Sequence, residues 1–269
     1  MSASGLTICR LIGPTSGKIL LDGTDIAPLP QKAVKPYRKR IQMVFQDPYA
    51  SLNPRMSVNE IVGEPLKVHN LVKNRDEMNA RVLDLLRKVG LDDYHTNRYP
   101  HEFSGGQRQR IGIARALAVE PEIIVADEPV SALDVSIQAQ VLNLLNKLKK
   151  ELNLTYIFIS HDLSVVEHVS DKVGVMYLGS FVEVSDRDDL YERPLHPYTQ
   201  ALLSAVPIPD PKRHTEQIIL EGTIPSPVNA PSGCKFHTRC KECMEICKLE
   251  IPPRVEITST HHVFCHKYV

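Results

Sequence analysis

Residues 122–134, EIIVADEPVSALD, decide the fold of this chain. The stretch EIIVA is largely apolar and rich in β-branched side chains, which suits a parallel strand buried on both faces. It leads into Asp127 and Glu128, so two carboxylates would lie at the tip of that strand. An aspartate there suits contact with Mg²⁺, directly or through water, and a glutamate suits orienting or deprotonating an attacking water. A solvated acidic turn after a strand is the alternative.

Neighbouring segments predict the same kind of sheet. IQMVF (41–45) and TYIFIS (155–160) are two further strand patterns, the second expected to be buried, and residues 137–152 have helical spacing. Strand, helix and strand in this order predict a parallel α/β architecture with right-handed crossovers. Ligands of such sheets lie beyond the carboxyl ends of the strands, where Asp127 and His161 fall. KILLDG (18–23) predicts a short strand followed by a turn.

A small helical insertion is expected between the strands IQMVF (41–45) and EIIVA (122–126). Residues 46–57 are rich in turn formers and predict an ordered loop. From Val58 to Val89 the apolar residues recur at helical spacing, and Gly90 follows as a typical helix end. We therefore assign about residues 58–103 to a helical subdomain.

An anion-binding segment is predicted where FSGGQRQR (103–110) begins a helix. Ser104 is placed to cap the helix, and the glycines that follow leave backbone N–H groups accessible at its positive end. An ordinary glycine-rich cap is the alternative.

Two polar residues follow other strands. His161 comes directly after TYIFIS, where it could contact a γ-phosphate, although a single histidine is more often structural. Gln46 ends the strand IQMVF, and its amide could approach a metal ion or water.

Composition excludes several classes of protein. The 269 residues carry 32 basic and 32 acidic side chains, so there is no net positive charge that would attract nucleic acid. No apolar run approaches 18 residues, so no membrane span is expected. The first residues lack the pattern of a secretion signal, which predicts a cytoplasmic location.

Five of the six cysteines fall in the last 36 residues, which predicts a domain boundary near residue 205. Thiols this dense in a reducing compartment suit a soft metal or an iron–sulfur cluster. Zinc is the alternative metal, and free thiols in a small tail are the alternative to any metal. Nitrogen ligands for zinc could come from four histidines: His237, His261, His262 and His266.

The motifs in this order resemble the nucleotide-binding domain of ABC transporters. By that resemblance, Gln46 matches the Q-loop and His161 the switch histidine, while Asp127 and Glu128 match the Walker B aspartate and the catalytic glutamate. The signature motif is matched by Ser104, Gly105, Gly106 and Gln107, and the D-loop runs from Ser131 to Asp134. The resemblance implies an ABC-type P-loop NTPase fold over residues 1–205, with ATP and Mg²⁺ as cofactors.

The longer stretches FQDPYASLNPRMSV and YERPLHPYTQALLSAVP are similar to ATPase subunits of oligopeptide, dipeptide and nickel importers. That family implies ATP hydrolysis that drives peptide import, a second ATPase subunit and two membrane permease subunits. It also implies an external solute-binding protein and a location on the cytoplasmic face of the membrane. Residues 46–57 and the helical insertion are the expected permease interface.

The same family implies a Cys-rich C-terminal extension, here residues 206–269, in which some members hold a [4Fe–4S] cluster. The residues that match its ligand pattern are Cys234, Cys240, Cys247 and Cys265. Cys243 is additional to that pattern.

One stretch mimics a phosphate-binding loop. GPTSGK (13–18) has three residues between its glycines, where G-x-x-x-x-G-K-[ST] has four, and Ile19 replaces the metal-binding hydroxyl. In the family this stretch is a turn downstream of the P-loop, so the P-loop and the strands before it are expected to be missing. We therefore expect little ATPase activity from the chain alone. The alternative function is a non-hydrolysing subunit that contributes only its signature motif, and a soluble ABC protein of repair or translation is a third class.

Overall fold

A computed structural model describes residues 3–206 and 217–269. The chain divides into two compact units, Met1–His161 and Asp162–Val269. None of the described helices is both long enough and apolar enough to cross a membrane.

The described part of the first unit contains both helices and strands. The helices are α1 (Ala3–Ile8), α2 (Gln31–Arg40), α3 (Val58–Val68), α4 (Arg75–Lys88), α5 (Gly105–Leu117) and α6 (Val135–Glu151), with 3₁₀ turns at Asp93–Asn97 and Pro100–Glu102. The strands are β1 (Leu20–Leu21), β2 (Thr24–Asp25), β3 (Ile41–Val44), β4 (Ile123–Asp127) and β5 (Thr155–Ile159).

The predicted parallel sheet is confirmed in the order β3-β4-β5. Val44 pairs with Ala126, and Asp127 pairs with Ile159, so the carboxyl ends of all three strands meet at one edge. The prediction that β5 is a buried strand is wrong, because its residues are half-buried or exposed. Within the described residues β5 pairs only with β4, which leaves it at the edge of this sheet.

The helical insertion consists of two helices where the sequence suggested one continuous block. α3 begins at a capping box in which Ser57 and Glu60 satisfy each other's backbone N–H groups. A second cap, Asn74, accepts a hydrogen bond from the N–H of Glu77 and starts α4. Gly90 follows α4 with a φ of +74°, as expected for a glycine after a helix.

GPTSGK is a turn, as predicted. It lies between α1 and the hairpin of β1 and β2, in backbone that is neither helix nor strand. The hairpin itself turns at Asp22 and Gly23, both with positive φ. No helix starts after Lys18, so the segment lacks the loop-to-helix geometry that holds phosphate in a P-loop.

The described elements of the second unit surround an antiparallel sheet in the order β6-β7-β9-β8. The strands are β6 (Lys172–Tyr177), β7 (Ser180–Asp186), β8 (Val255–Glu256) and β9 (His262–Val263). The helices are α7 (Leu163–Val169), α8 (Arg187–Glu192), α9 (Pro197–Ser204) and α10 (Glu245–Leu249), with 3₁₀ turns at His237–Arg239 and His266–Tyr268.

The Cys-rich segment shares a sheet with residues before the predicted boundary at 205. Glu183 of β7 pairs with Val263 of β9, which joins the two parts in one compact unit. The compact units therefore divide the chain at residue 161, whereas the composition changes near 205. Residues 207–216 of the predicted extension lie outside the described residues.

A buried polar cluster accompanies this strand pairing. Glu183 is fully buried, and its carboxylate accepts hydrogen bonds from the N–H groups of Leu195 and His196. The Nε2 atom of His261 lies 2.7 Å from Oε1 of Glu183. Because the buried carboxylate has hydrogen-bond partners on both sides, it joins the segment that contains His261 to the turn that precedes α9.

Candidate nucleotide-hydrolysis site

Two polar side chains, each following one of the parallel strands, meet at the carboxylate that follows the strand between them. The Nε2 atom of Gln46 donates a 2.9 Å hydrogen bond to Oε2 of Glu128. The Nδ1 atom of His161 lies 3.1 Å from the same oxygen. These contacts arise because parallel strands bring their carboxyl ends to one edge of the sheet. The structure thus brings together Gln46, Glu128 and His161, and it places His161 and Asp127 at the strand ends as the sequence predicted.

The backbone of Glu128 is held in an unusual conformation. Its φ is +46°, in the left-handed region that non-glycine residues seldom adopt. The N–H of Glu128 donates to the carbonyl of Ile159 at 2.8 Å, and the hydroxyl of Ser131 donates to its carbonyl at 3.1 Å. Both contacts hold the residue in place, and such strain is often found at functional sites.

Asp127 lies at the end of β4 and is only 1% exposed. It directly precedes Glu128, and carboxylate oxygens are ligands that suit Mg²⁺. The pair therefore combines a buried aspartate with a glutamate whose side chain is 25% exposed and accessible to water.

The start of α5 is closed by a capping box. The hydroxyl of Ser104 accepts from the N–H of Gln107, and the side-chain oxygen of Gln107 accepts from the N–H of Ser104. Because the first N–H groups of a helix have no acceptor within it, those of Gly105 and Gly106 are the ones suited to an anion.

The two glycines are also required by packing, a reason that the sequence did not indicate. A Cβ atom on Gly106 would lie 2.4 Å from Cγ2 of Ile137, and one on Gly105 would lie 3.2 Å from a methyl carbon of Leu133. Leu133 and Ile137 flank Asp134, the residue before the first turn of α6. The signature glycines therefore let α5 approach the segment around Asp134 closely.

The residues present fit ATP and Mg²⁺ by the nature of their donors. The strand ends supply a buried aspartate, and the start of α5 supplies backbone donors. ATP would supply the phosphoryl group to be transferred, with Mg²⁺ neutralising its charge.

The four cysteines of the predicted cluster lie in one region of the second unit. The N–H of Cys234 donates to the carbonyl of Cys247 at 2.8 Å, and Cys265 precedes the last 3₁₀ turn. Burial raises the pKa of Cys234, and the nearby thiols of Cys247 and Cys265 raise it further. Burial likewise raises the pKa of Cys240 to about 11, with added contributions from Cys265 and Cys234. Cys234 thus interacts with the other three thiols, and Cys243 also contributes to the raised pKa of Cys240.

Imidazole ligands are less available than thiols. The Nε2 atom of His261 is bonded to Glu183, and Nε2 of His266 lies 3.0 Å from the carbonyl of Glu250. In residues 3–206 and 217–269, no three or more His, Cys, Asp or Glu side chains form a completed metal-binding group. The thiols are thus close together without the converged geometry of a bound metal.

Two families match the chain. Residues 5–131 match the ABC transporter family, and residues 182–247 match the oligopeptide/dipeptide transporter, C-terminal region. Among solved structures, the dimeric post-hydrolysis state of the ATP-binding cassette MJ0796 bound to ADP and Pi is 30% identical with a TM-score of 0.62. That match covers 68% of this chain and 79% of the other. CbiO1 of Clostridium perfringens, part of the ABC transporter complex cbiONQ, is also 30% identical with a TM-score of 0.62. That match covers 70% of this chain and 73% of CbiO1.

Curated relatives match over almost the entire chain. The oligopeptide transport ATP-binding protein AppF of Bacillus subtilis (strain 168) is 57% identical, over 99% of this chain and 82% of that protein. The probable peptide ABC transporter ATP-binding protein y4tS of Sinorhizobium fredii is 54% identical, over 96% of this chain and 73% of that protein. With the geometry around Glu128, these similarities show that the chain belongs to the ATP-binding proteins of the oligopeptide/dipeptide ABC transporter family.

Proposed function

We propose that this chain is an ATPase subunit that supplies the energy for peptide import across a membrane. The observation that carries the proposal is the meeting of Gln46 and His161 at one oxygen of Glu128, in a chain of this family. Glu128 acts as the general base on the attacking water. Gln46 and His161 both contact Oε2, so we assign the water to Oε1. Asp127 holds Mg²⁺.

The hydrolytic site is completed between two ATPase subunits. Ser104, with the N–H groups of Gly105 and Gly106, binds the phosphates of ATP held by the P-loop of the other subunit. Asp134 orients the segment that packs on those glycines. Residues 1–269 contain no G-x-x-x-x-G-K-[ST] motif, so the phosphate cradle of the proposed site comes from outside these residues.

Reconstitution tests this assignment. The chain is mixed with the ATPase subunit with which it purifies, and ATP hydrolysis is compared with that of each protein alone. We expect hydrolysis to rise on mixing, and Ser104→Arg to remove the gain. Ser226→Arg, at an exposed residue of the second unit, is the control. A gain that survives Ser104→Arg would exclude the signature segment from the site.

A non-hydrolysing subunit is the second candidate, since the capped start of α5 would suit a signature segment even without catalysis by Glu128. In that case the chain would contribute only its signature segment, and Glu128 would be idle. Glu128→Gln distinguishes the two candidates in the reconstituted pair. A large loss of hydrolysis supports the catalytic role, and unchanged hydrolysis supports the second candidate.

The other proposed partners are two membrane permease subunits, which place the chain on the cytoplasmic face of the membrane. An external solute-binding protein delivers the peptide to them. We assign the permease contact to residues 46–57 and the helical insertion, because this loop begins at Gln46 beside Glu128. Cross-linking of single cysteines in 46–57 to the permeases in native membranes tests the assignment, and cross-links confined to other surfaces would contradict it.

We also propose a [4Fe–4S] cluster on Cys234, Cys240, Cys247 and Cys265. The hydrogen bond from the N–H of Cys234 to the carbonyl of Cys247 supports grouping these residues, and the engagement of nearby imidazoles favours the cluster over a zinc site with histidine ligands. Protein purified without oxygen should contain about four iron atoms per chain and absorb visible light. Cys234→Ser should lose the iron and Cys243→Ser should keep it. Zinc in place of iron supports the alternative metal, and protein without either contradicts both.

A further inference from the structure

Two arginines on one face of α5 hold the loop of residues 46–57. The guanidinium carbon of Arg108 lies 3.5 Å from the centroid of the Tyr49 ring. The Nη1 atom of Arg115 donates a 2.6 Å hydrogen bond to the carbonyl of Ser51. Because Arg108 and Arg115 are seven residues apart, both project from the same side of the helix.

Arg108 is held in place by contacts that do not involve Tyr49. The residue is only 4% exposed, and its Nε atom donates to the carbonyl of Pro100 at 2.6 Å. Nη2 of Arg108 donates to the carbonyl of His101 at 3.4 Å. A guanidinium so restrained offers a defined plane for a cation–π contact.

Tyr49 differs from an ordinary core aromatic residue. It is 65% exposed, and its ring stacks on the guanidinium of Arg108. Its backbone is set by Asp47, whose Oδ1 accepts from the N–H of Tyr49 at 2.7 Å and from that of Ala50 at 3.2 Å. The ring is therefore aimed at Arg108 by a short local turn.

The contact lies between the two halves of the proposed site. Gln46, three residues before Tyr49, donates to Glu128. On the other side, the N–H of Arg108 donates to the carbonyl of Ser104 at 2.9 Å, within the first turn of α5. We propose that Tyr49 is a positioning residue that fixes the start of α5 relative to Glu128 by stacking on Arg108. The proposal rests on the function assigned above to Ser104.

Hydrogen–deuterium exchange tests the positioning without requiring hydrolysis. Tyr49→Ala should raise the exchange rate of the amides of Gln107 and Arg108, which are both bonded to Ser104, by roughly fivefold, because the start of α5 loses a contact. Tyr49→Phe keeps the ring and should exchange like the wild type. Tyr94→Ala is the matched control, since Tyr94 is 61% exposed and stacks 5.1 Å from Arg98 in the same unit. Equal exchange in Tyr49→Ala and wild type would overturn the proposal, as would equal disturbance by Tyr49→Phe.

Hydrolysis in the reconstituted subunit pair gives the second measurement. Tyr49→Ala should lower kcat roughly fivefold and leave the KM for ATP nearly unchanged, and Tyr49→Phe should restore kcat. In an Arg108→Gln background, Tyr49→Ala should cause no further loss, and additive losses would contradict the coupling. If the wild-type pair does not hydrolyse ATP, the proposed function fails, and the exchange experiment still decides the role of Tyr49.

Discussion

Gln46 and Glu128 are joined by a 2.9 Å hydrogen bond although 82 residues separate them in the chain. The bond exists because β3 and β4 are parallel neighbours, so the residues that follow them meet at one edge of the sheet. Gln46 also begins the loop that carries Tyr49. One carboxylate is thus linked directly to the segment proposed to contact the permease subunits.

Glu128→Gln should lower hydrolysis by the reconstituted subunit pair by roughly 100-fold or more, because the amide cannot accept a proton from water. Binding of a fluorescent ATP analogue should persist, since Asp127 and Ser104 are unchanged. Gln46→Ala is the companion variant and should reduce the rate less, because it removes only a donor to Glu128. Loss of analogue binding in Glu128→Gln would indicate a structural role instead.

Gly106→Ala should destabilise the first unit by about 1–3 kcal/mol, because its Cβ would lie 2.4 Å from Ile137 and force α5 and α6 apart. Gly112→Ala, in the same helix, provides the matched control. A Cβ there has no neighbour within 4 Å, so the better helix propensity of alanine should stabilise by up to about 1 kcal/mol. Urea unfolding of both variants measures the difference, and equal stabilities would show that the close approach is not a constraint.

Local chemistry allowed much of the site to be predicted. Ser104 as a helix cap and Gly90 as a helix end follow from side-chain hydrogen bonding and from positive φ, which need no tertiary contact. The meeting of Glu128 and His161 follows from the parallel order of their strands.

Contacts between distant segments were not predictable in this way. The stack of Tyr49 on Arg108 and the approach of Ile137 to Gly106 join residues whose local sequence does not specify the partner. The same holds for the pairing of β7 with β9, which brings the Cys-rich segment into a sheet. The apolar spacing from Val58 to Val89 also concealed the helix break before Asn74.

Gly233→Ala should disrupt the thiol cluster. Gly233 has a φ of +62°, and a Cβ there would lie 2.4 Å from the carbonyl oxygen of Cys247, the acceptor of the N–H of Cys234. Gly222→Ala distinguishes backbone strain from the contact with Cys247. Gly222 has a φ of +76°, which imposes the strain, and a Cβ there has no neighbour within 4 Å. We expect bound metal per chain to fall in Gly233→Ala and to stay near wild type in Gly222→Ala. An equal fall of metal content in both variants would show that backbone strain, and not the contact with Cys247, causes the loss.

His196 should make the second unit sensitive to mild acid. The residue is 1% exposed, and burial lowers its pKa to about 4 from the ordinary 6.5. Between these values the unfolded chain takes up a proton that the folded chain does not, so stability falls as the pH drops from about 6.5 to about 4. The loss is on the order of 3 kcal/mol, and it should level off below the folded pKa.

Replacement of His196 by asparagine isolates this effect. The Nδ1 atom of His196 accepts from the N–H of Tyr198 at the start of α9, and an asparagine side chain can accept the same hydrogen bond without titrating. Chemical unfolding of the second unit, followed between pH 7 and pH 4, should therefore show a shallower decline in His196→Asn than in the wild type. Parallel pH profiles would show that His196 is not the source of the acid sensitivity.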